Sequence, residues 1–206
     1  TLLYILCFLC PSITLADLEK KFYGTWMLST KDSDAAEKVF KGKLRKHHKL
    51  SSKKKLDSGA SSRPEETMKS YWDIVREGQN RRAAKNLKRL GSAYPLVTFR
   101  EIKIKKPDNE NFLFEFEYDG AITRKIKPSL TGKEYSAKGD ELVKNVFGHT
   151  LSYFQGAALL LETDTADGSQ VNEKISLLDN NLIYQVTIDS PILVSRVGLS
   201  RVYKKK

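Results

Sequence analysis

The stretch Phe112-Leu-Phe-Glu-Phe-Glu-Tyr118, followed at once by Asp119-Gly120, constrains the fold more than any other part of the chain. Aromatic residues at every second position leave one apolar face and one acidic face, the period of a half-buried strand. Asp-Gly suits the backbone of a tight hairpin turn, so the next strand returns antiparallel. The same pattern recurs. Residues 96–105 alternate, with Val97, Phe99, Glu101, Lys103 and Lys105 on one face and Leu96, Thr98, Arg100, Ile102 and Ile104 on the other. Residues 121–128 form a candidate strand, and residues 141–154 one or two more. Residues 157–163 end before a second Asp-Gly at Asp167-Gly168, residues 170–178 before Asp179-Asn-Asn181, and residues 181–189 before Ser190-Pro191. Residues 194–203 close the series. With an early strand at 22–29, about nine or ten strands recur at a spacing of roughly 8–12 residues. That spacing fits an antiparallel barrel or a β-sandwich and excludes a βαβ fold.

Charge is distributed unevenly. The 206 residues carry 36 Lys and Arg against 25 Asp and Glu, a formal net charge of +11. Residues 37–92 hold 17 basic and 6 acidic side chains, so the strand-rich remainder is close to neutral. Within that zone, residues 33–40 can start a helix, with Ala36, Phe40 and Leu44 at helical spacing. The dense Lys/Arg run at 41–55 has too few apolar residues to bury anything. Ser62-Arg-Pro-Glu65 reads as a capping box, and Met68, Tyr71, Trp72 and Val75 make one apolar helical stripe beyond it. A second helix at 81–90 turns Ala83, Ala84, Leu87 and Leu90 inward and Arg82, Lys85, Lys88 and Arg89 largely outward. A helix–turn–helix pair thus separates the first strand from the others.

The first residues, Thr1-Leu-Leu-Tyr-Ile-Leu-Cys-Phe-Leu-Cys10 and then Pro-Ser-Ile-Thr-Leu-Ala16, have the layout of a secretory signal peptide. Thr14 and Ala16 take the −3 and −1 positions, so Asp17 begins the mature protein. The run is short of the about 20 apolar residues that span a bilayer. With no initiating Met or basic n-region before this run, the leader is expected to be truncated at its start. The alternative is a buried amino-terminal strand. Both cysteines, Cys7 and Cys10, lie in this leader, so the expected secreted chain relies on its core and not on a disulfide.

One strand carrying Phe22-Tyr-Gly-Thr-Trp26, two helices, about nine further strands and a closing Leu199-Ser-Arg-Val-Tyr-Lys-Lys205 together resemble the intracellular lipid-binding proteins. These are the fatty-acid-binding proteins and cellular retinoid carriers of the calycin superfamily; the leader makes the exported nematode-type members most similar. The resemblance covers residues 18–30 and about 68–206. It implies a ten-stranded up-and-down antiparallel β-barrel with a helix–turn–helix lid at 67–90. Residues 17–206 would be a single domain, interrupted by a basic insertion at 31–66. It also implies a fatty acid or retinoid-like lipid as interior ligand and no cofactor. Arg201 would supply a bidentate fork and Tyr203 an O–H donor two residues along the same strand face. Family members often have a second interior arginine near position 175. Ile175 stands there with Lys174 adjacent, which puts a second anchor in doubt. The lid helices of the family touch membranes, which assigns Arg81, Arg82, Lys85, Lys88 and Arg89 to an anionic surface.

Other functions are less well served. Of the three histidines, His47 and His48 fall in the basic run without nearby carboxylates, and His149 sits near a strand end. Asp164 and Asp167 flank a turn, where Asp belongs for conformational reasons. The chain has no phosphate-cradling glycine loop, zinc-ligand spacing or nucleophile elbow, so a monomeric carrier is expected and not an enzyme. A secreted polyanion- or glycosaminoglycan-binding protein using the basic run is the main alternative. Nucleic acid is not expected, because that run lacks interleaved aromatics after Phe40. A true lipocalin shares Gly-x-Trp, but the helices directly after the first strand argue against it.

Overall fold

The computed structural model describes residues 15–45, 85–109, 111–134 and 141–206. The leader run, His47, His48, the capping box, the 68–75 stripe, Arg81 and Arg82 lie outside these residues.

A helix, α1 (Leu15–Phe22), opens the described chain. The first strand was expected to include Phe22, but Leu18 and Phe22 stand four apart among charged residues, a helical stripe, and both face the core. Phe22 is fully buried, edge-on to Phe114 with ring centroids 5.9 Å apart. Its carbonyl accepts a 2.9 Å bond from Trp26 Nε1, which ties α1 to β1 (Gly24–Leu28). The helix expected to start over residues 33–40 is limited to α2 (Ala36–Val39). Ala36 and Phe40 are buried as anticipated, but Leu44 leaves the helix to pair with Leu193 as an isolated antiparallel bridge.

Residues 96–105 do not form one strand. A 3-10 turn (Lys88–Ala93) runs through Gly91, at φ 57, into α3 (Tyr94–Thr98), and only then does β2 (Glu101–Lys105) begin. Pro95 starts the helix with its fixed φ, and Thr98 Oγ1 returns a 3.0 Å bond to the Tyr94 carbonyl. The core face of β2 is Ile102 and Ile104; Lys103 and Lys105 point out. Phe99, in the extended link after α3, still enters the interior.

The remaining strands follow the period-2 pattern closely. They are β3 (Phe114–Tyr118), β4 (Ile122–Ile126), β5 (Val143–Asn145), β6 (Gly148–Gln155), β7 (Ala158–Thr165), β8 (Gln170–Leu178), β9 (Asn181–Asp189) and β10 (Val197–Lys205). Asp119-Gly120, Asp167-Gly168 and Asp179-Asn180 make the hairpin turns, with positive φ at Asp119, Gly120, Gly168, Asp179 and Asn180. The sheet order is β4-β3-β2-β1-β10-β9-β8-β7-β6-β5, antiparallel throughout. Pairing of β1 with both β2 and β10 joins the two ends of the meander. The seam between β4 and β5 is narrowed by Ser129, whose backbone bonds Ser152 and Phe154 of β6 at 2.9 Å each. The result is the nearly closed ten-stranded barrel of the expected fold class, with its inward residues in one continuous core.

Gly148 illustrates how tightly the wall is built. It opens β6 at φ 147, and a Cβ there would lie on the Asp164 carbonyl oxygen of β7. Gly148→Ala is therefore expected to destabilise the barrel by about 2–4 kcal/mol, through strain and backbone displacement. Urea denaturation checks it; a loss under about 0.5 kcal/mol would mean that the β6–β7 approach relaxes freely.

Candidate functional site

Most inward positions are apolar, and three buried charges stand out against them among the described residues: Arg124 on β4, Glu173 on β8 and Arg201 on β10. A buried ion is tolerable only when paired and hydrogen-bonded. The three are served very differently.

Arg124 and Glu173 satisfy one another. Nη1 and Nη2 of Arg124 donate to Glu173 Oε2 at 2.7 and 2.8 Å, while Tyr184 Oη donates to Oε1 at 2.9 Å. In the sheet order β4 and β8 are separated by three strands on one side and five on the other, so this pair reaches across the interior. The Arg124 guanidinium also lies 5.4 Å from the Phe147 ring centroid. Burial works against the Arg124 charge, but the Glu173 carboxylate more than offsets it, and the pKa is raised. Burial likewise raises the phenols of Tyr118 and Tyr184, with Glu173 adding to the effect on both, so they remain neutral O–H groups.

Arg201 is 4% exposed and faces inward, as the resemblance implied, but among the described residues no carboxylate meets it. Its Nε and Nη1 are buried without a hydrogen-bond partner among the described residues. What surrounds it is aromatic: the Phe99 and Tyr203 ring centroids lie 5.2 and 5.5 Å from its guanidinium carbon. Phe99 stacks on Tyr203 at 5.2 Å and meets Tyr118 and Tyr184 edge-on at 4.9 and 5.1 Å. Tyr203 is buried on the same face as Arg201, but its hydroxyl proton goes to the Phe99 carbonyl at 3.2 Å. Tyr203 therefore positions Phe99 over the cation; its oxygen retains only acceptor capacity. Burial raises the Tyr203 pKa, against the pull of Arg201. Among the described residues, two positive charges and one negative leave this interior with an excess of one positive charge.

Ile175, at the position where a second arginine was sought, is buried and aliphatic, and Lys174 is exposed. The second interior cation is instead Arg124, which sequence reasoning missed. A signal was available: in Ile122-Thr-Arg-Lys-Ile126, Arg124 shares its face with two isoleucines, and Glu173 stands likewise between Val171 and Ile175. Opposite charges on the core faces of two strands point to an interior pair.

Of the residues assigned to a membrane surface, Lys85 and Lys88 are exposed, while Arg89 is half-buried and donates from Nη2 to the Arg45 carbonyl at 2.9 Å. His149 is exposed on β6, and no group of three metal-ligating side chains occurs among the described residues. A groove of about 510 Å³ on the wall of β7–β10 is lined largely by outward residues such as Asn172, Lys174, Gln185 and Gly198, with Glu173 also in its lining.

At the rim, the β7–β8 turn holds the segment leading into α3. Asp167 accepts 2.9 Å from the Ser92 amide, 2.5 Å from Thr165 Oγ1 and 3.2 Å from the Ser169 amide. Burial alone would raise its carboxyl, but these bonds outweigh burial and lower the pKa. Its contribution is thus complete above the unfolded value, about 3.9, and is lost as pH falls through the folded one. Asp167→Ala is expected to cost about 1–2 kcal/mol at pH 7 and to speed hydrogen exchange at the Ser92 amide. Unchanged exchange would show that the rim holds without this carboxylate.

A meander of ten strands closed through β1, with helical segments between β1 and β2, defines a β-barrel of the fatty-acid-binding-protein-like fold class. No protein-family model matches the chain, and no curated protein sequence matches it. Among solved structures it is similar to lipid binding protein 8 of Caenorhabditis elegans, at 12% identity and a TM-score of 0.44 over 91% of this chain and 96% of that one. It is also similar to fatty-acid-binding protein 1 of Echinococcus granulosus, at 13% identity and a TM-score of 0.42 over 90% and 98%. A secretory abundant heat soluble protein of Ramazzottius varieornatus is similar at 9% identity and a TM-score of 0.44 over 90% and 96%.

Proposed function

We propose that this protein is a carrier that takes a fatty acid, or a similar amphiphile with one acidic headgroup, into the barrel and holds the headgroup at Arg201. The observation that carries this reading is the Arg201 guanidinium, buried in an aromatic setting with Nε and Nη1 unpartnered. A ligand carboxylate would supply the missing acceptors and cancel the excess positive charge of the described interior residues. Retinoid carboxylates satisfy the same chemistry. The apolar leader supports export, with Asp17 as the first mature residue. The exposed Lys85 and Lys88, with Arg81, Arg82 and Arg89 nearby in sequence, support docking at an anionic membrane during loading.

Displacement of a fluorescent fatty-acid analogue by oleate, at low and high salt, tests the reading. Saturable displacement near one ligand per chain, little changed by salt, is expected for a desolvated interior site. Absence of binding by oleate and by retinoic acid would shift the function to the basic surface, where retention on heparin would then be salt-sensitive.

A further inference from the structure

The two interior guanidiniums are built alike. Each is buried on an inward strand position, and each lies beside an aromatic ring, Phe147 for Arg124 and Phe99 for Arg201. The difference is Glu173. The bonds it accepts, two from one guanidinium and one from the Tyr184 phenol, are those that a bound carboxylate ligand would receive. A headgroup reaching Arg124 would have to displace an acceptor already in place and leave Glu173 charged, buried and without its cation. At Arg201 it displaces no carboxylate of the described residues. The two sites are also neighbours through the wall: Tyr184, which donates to Glu173, is the register partner of Arg201 across β9 and β10.

We propose that Glu173 is a resident carboxylate that occupies Arg124 and so decides which of the two interior guanidiniums receives a ligand's acidic headgroup. The inference rests on the carrier reading above and adds a specificity-determining residue to it. Glu173 directs the headgroup to the β10 side of the barrel without touching it. Neutralising Glu173 opens Arg124 as an alternative anchor.

The test is a rescue measured by oleate displacement of a fluorescent fatty-acid analogue. R201L is expected to bind oleate at least tenfold more weakly than the wild-type chain. Adding Glu173→Gln, which keeps an amide oxygen for Tyr184 but removes the charge, is expected to restore at least tenfold of that loss. A further Arg124→Leu should abolish the recovery. A folded R201L/E173Q variant that binds no better than R201L would overturn the proposal, as would a recovery that survives Arg124→Leu. If R201L binds oleate as tightly as the wild type, the Arg201 anchor fails on its own. E173Q against the wild type then decides: tighter binding supports the resident carboxylate, and equal binding overturns it. Because E173Q leaves Arg124 charged and unpaired, each melt is recorded with and without oleate. A larger oleate-induced rise in Tm for R201L/E173Q than for R201L is expected, and an equal rise counts against the proposal.

Discussion

Alanine in place of Glu173 is expected to lower folding stability by about 3–5 kcal/mol, because it strands the Arg124 cation inside the barrel. The loss comes less from the bonds removed than from the charge left behind. Arg124 is fully buried, its Nε already lacks a partner, and the Phe147 face replaces only a small part of a carboxylate. Tyr184 loses its acceptor as well, leaving a second buried polar group unsatisfied. The companion experiment separates these terms. Replacing both members, Arg124→Leu with Glu173→Leu, removes the charges together and is expected to be near neutral, or stabilising by about 1–4 kcal/mol. Urea titrations of the wild type, the single and the double variant close the comparison. A Glu173→Ala protein within about 1 kcal/mol of the wild type would mean that the pair does not span the barrel.

Arg201→Leu is expected to have effects of opposite sign on binding and on stability. Oleate binding should weaken by about 2–5 kcal/mol, since the headgroup loses a desolvated, charge-assisted partner. Stability of the ligand-free protein should hold or rise, because the substitution removes a buried cation whose Nε and Nη1 have no partner and leaves a side chain suited to the Phe99 and Tyr203 rings. Paired measurements on one preparation, calorimetric oleate titration and a thermal melt without ligand, decide the matter. Unchanged affinity would remove Arg201 from the site. Unchanged affinity with a large loss of stability would make the residue structural.

Much of the barrel was legible in the residues. Alternation in Phe114–Tyr118 and the turns at Asp119-Gly120 and Asp167-Gly168 are local devices, and local devices survive being read without their neighbours. Spacing put Arg201 and Tyr203 on one face of their strand, but that this face turns inward depends on barrel register, which only the closed structure sets. Residues 96–98, expected at the start of a strand, lie in a helix because Leu96 and Val97 fit a strand pattern as well as a helical turn. Short apolar runs are ambiguous in period, and here Pro95 and the Thr98 back-bond decide for the helix. That error mattered for the site, since the helix delivers Phe99 to Arg201.

By itself, then, the sequence determined the strand period and the turns, because these depend on neighbours within a few residues. It also put a charge on the core face of β4, of β8 and of β10. Only the tertiary structure decided that Arg124 and Glu173 meet while Arg201 stands apart. Residues 49 apart in the chain are joined across the interior only when ten strands close in one register. The cost of burying a charge depends on what lies within about 3 Å of it, a distance that closure and not spacing sets.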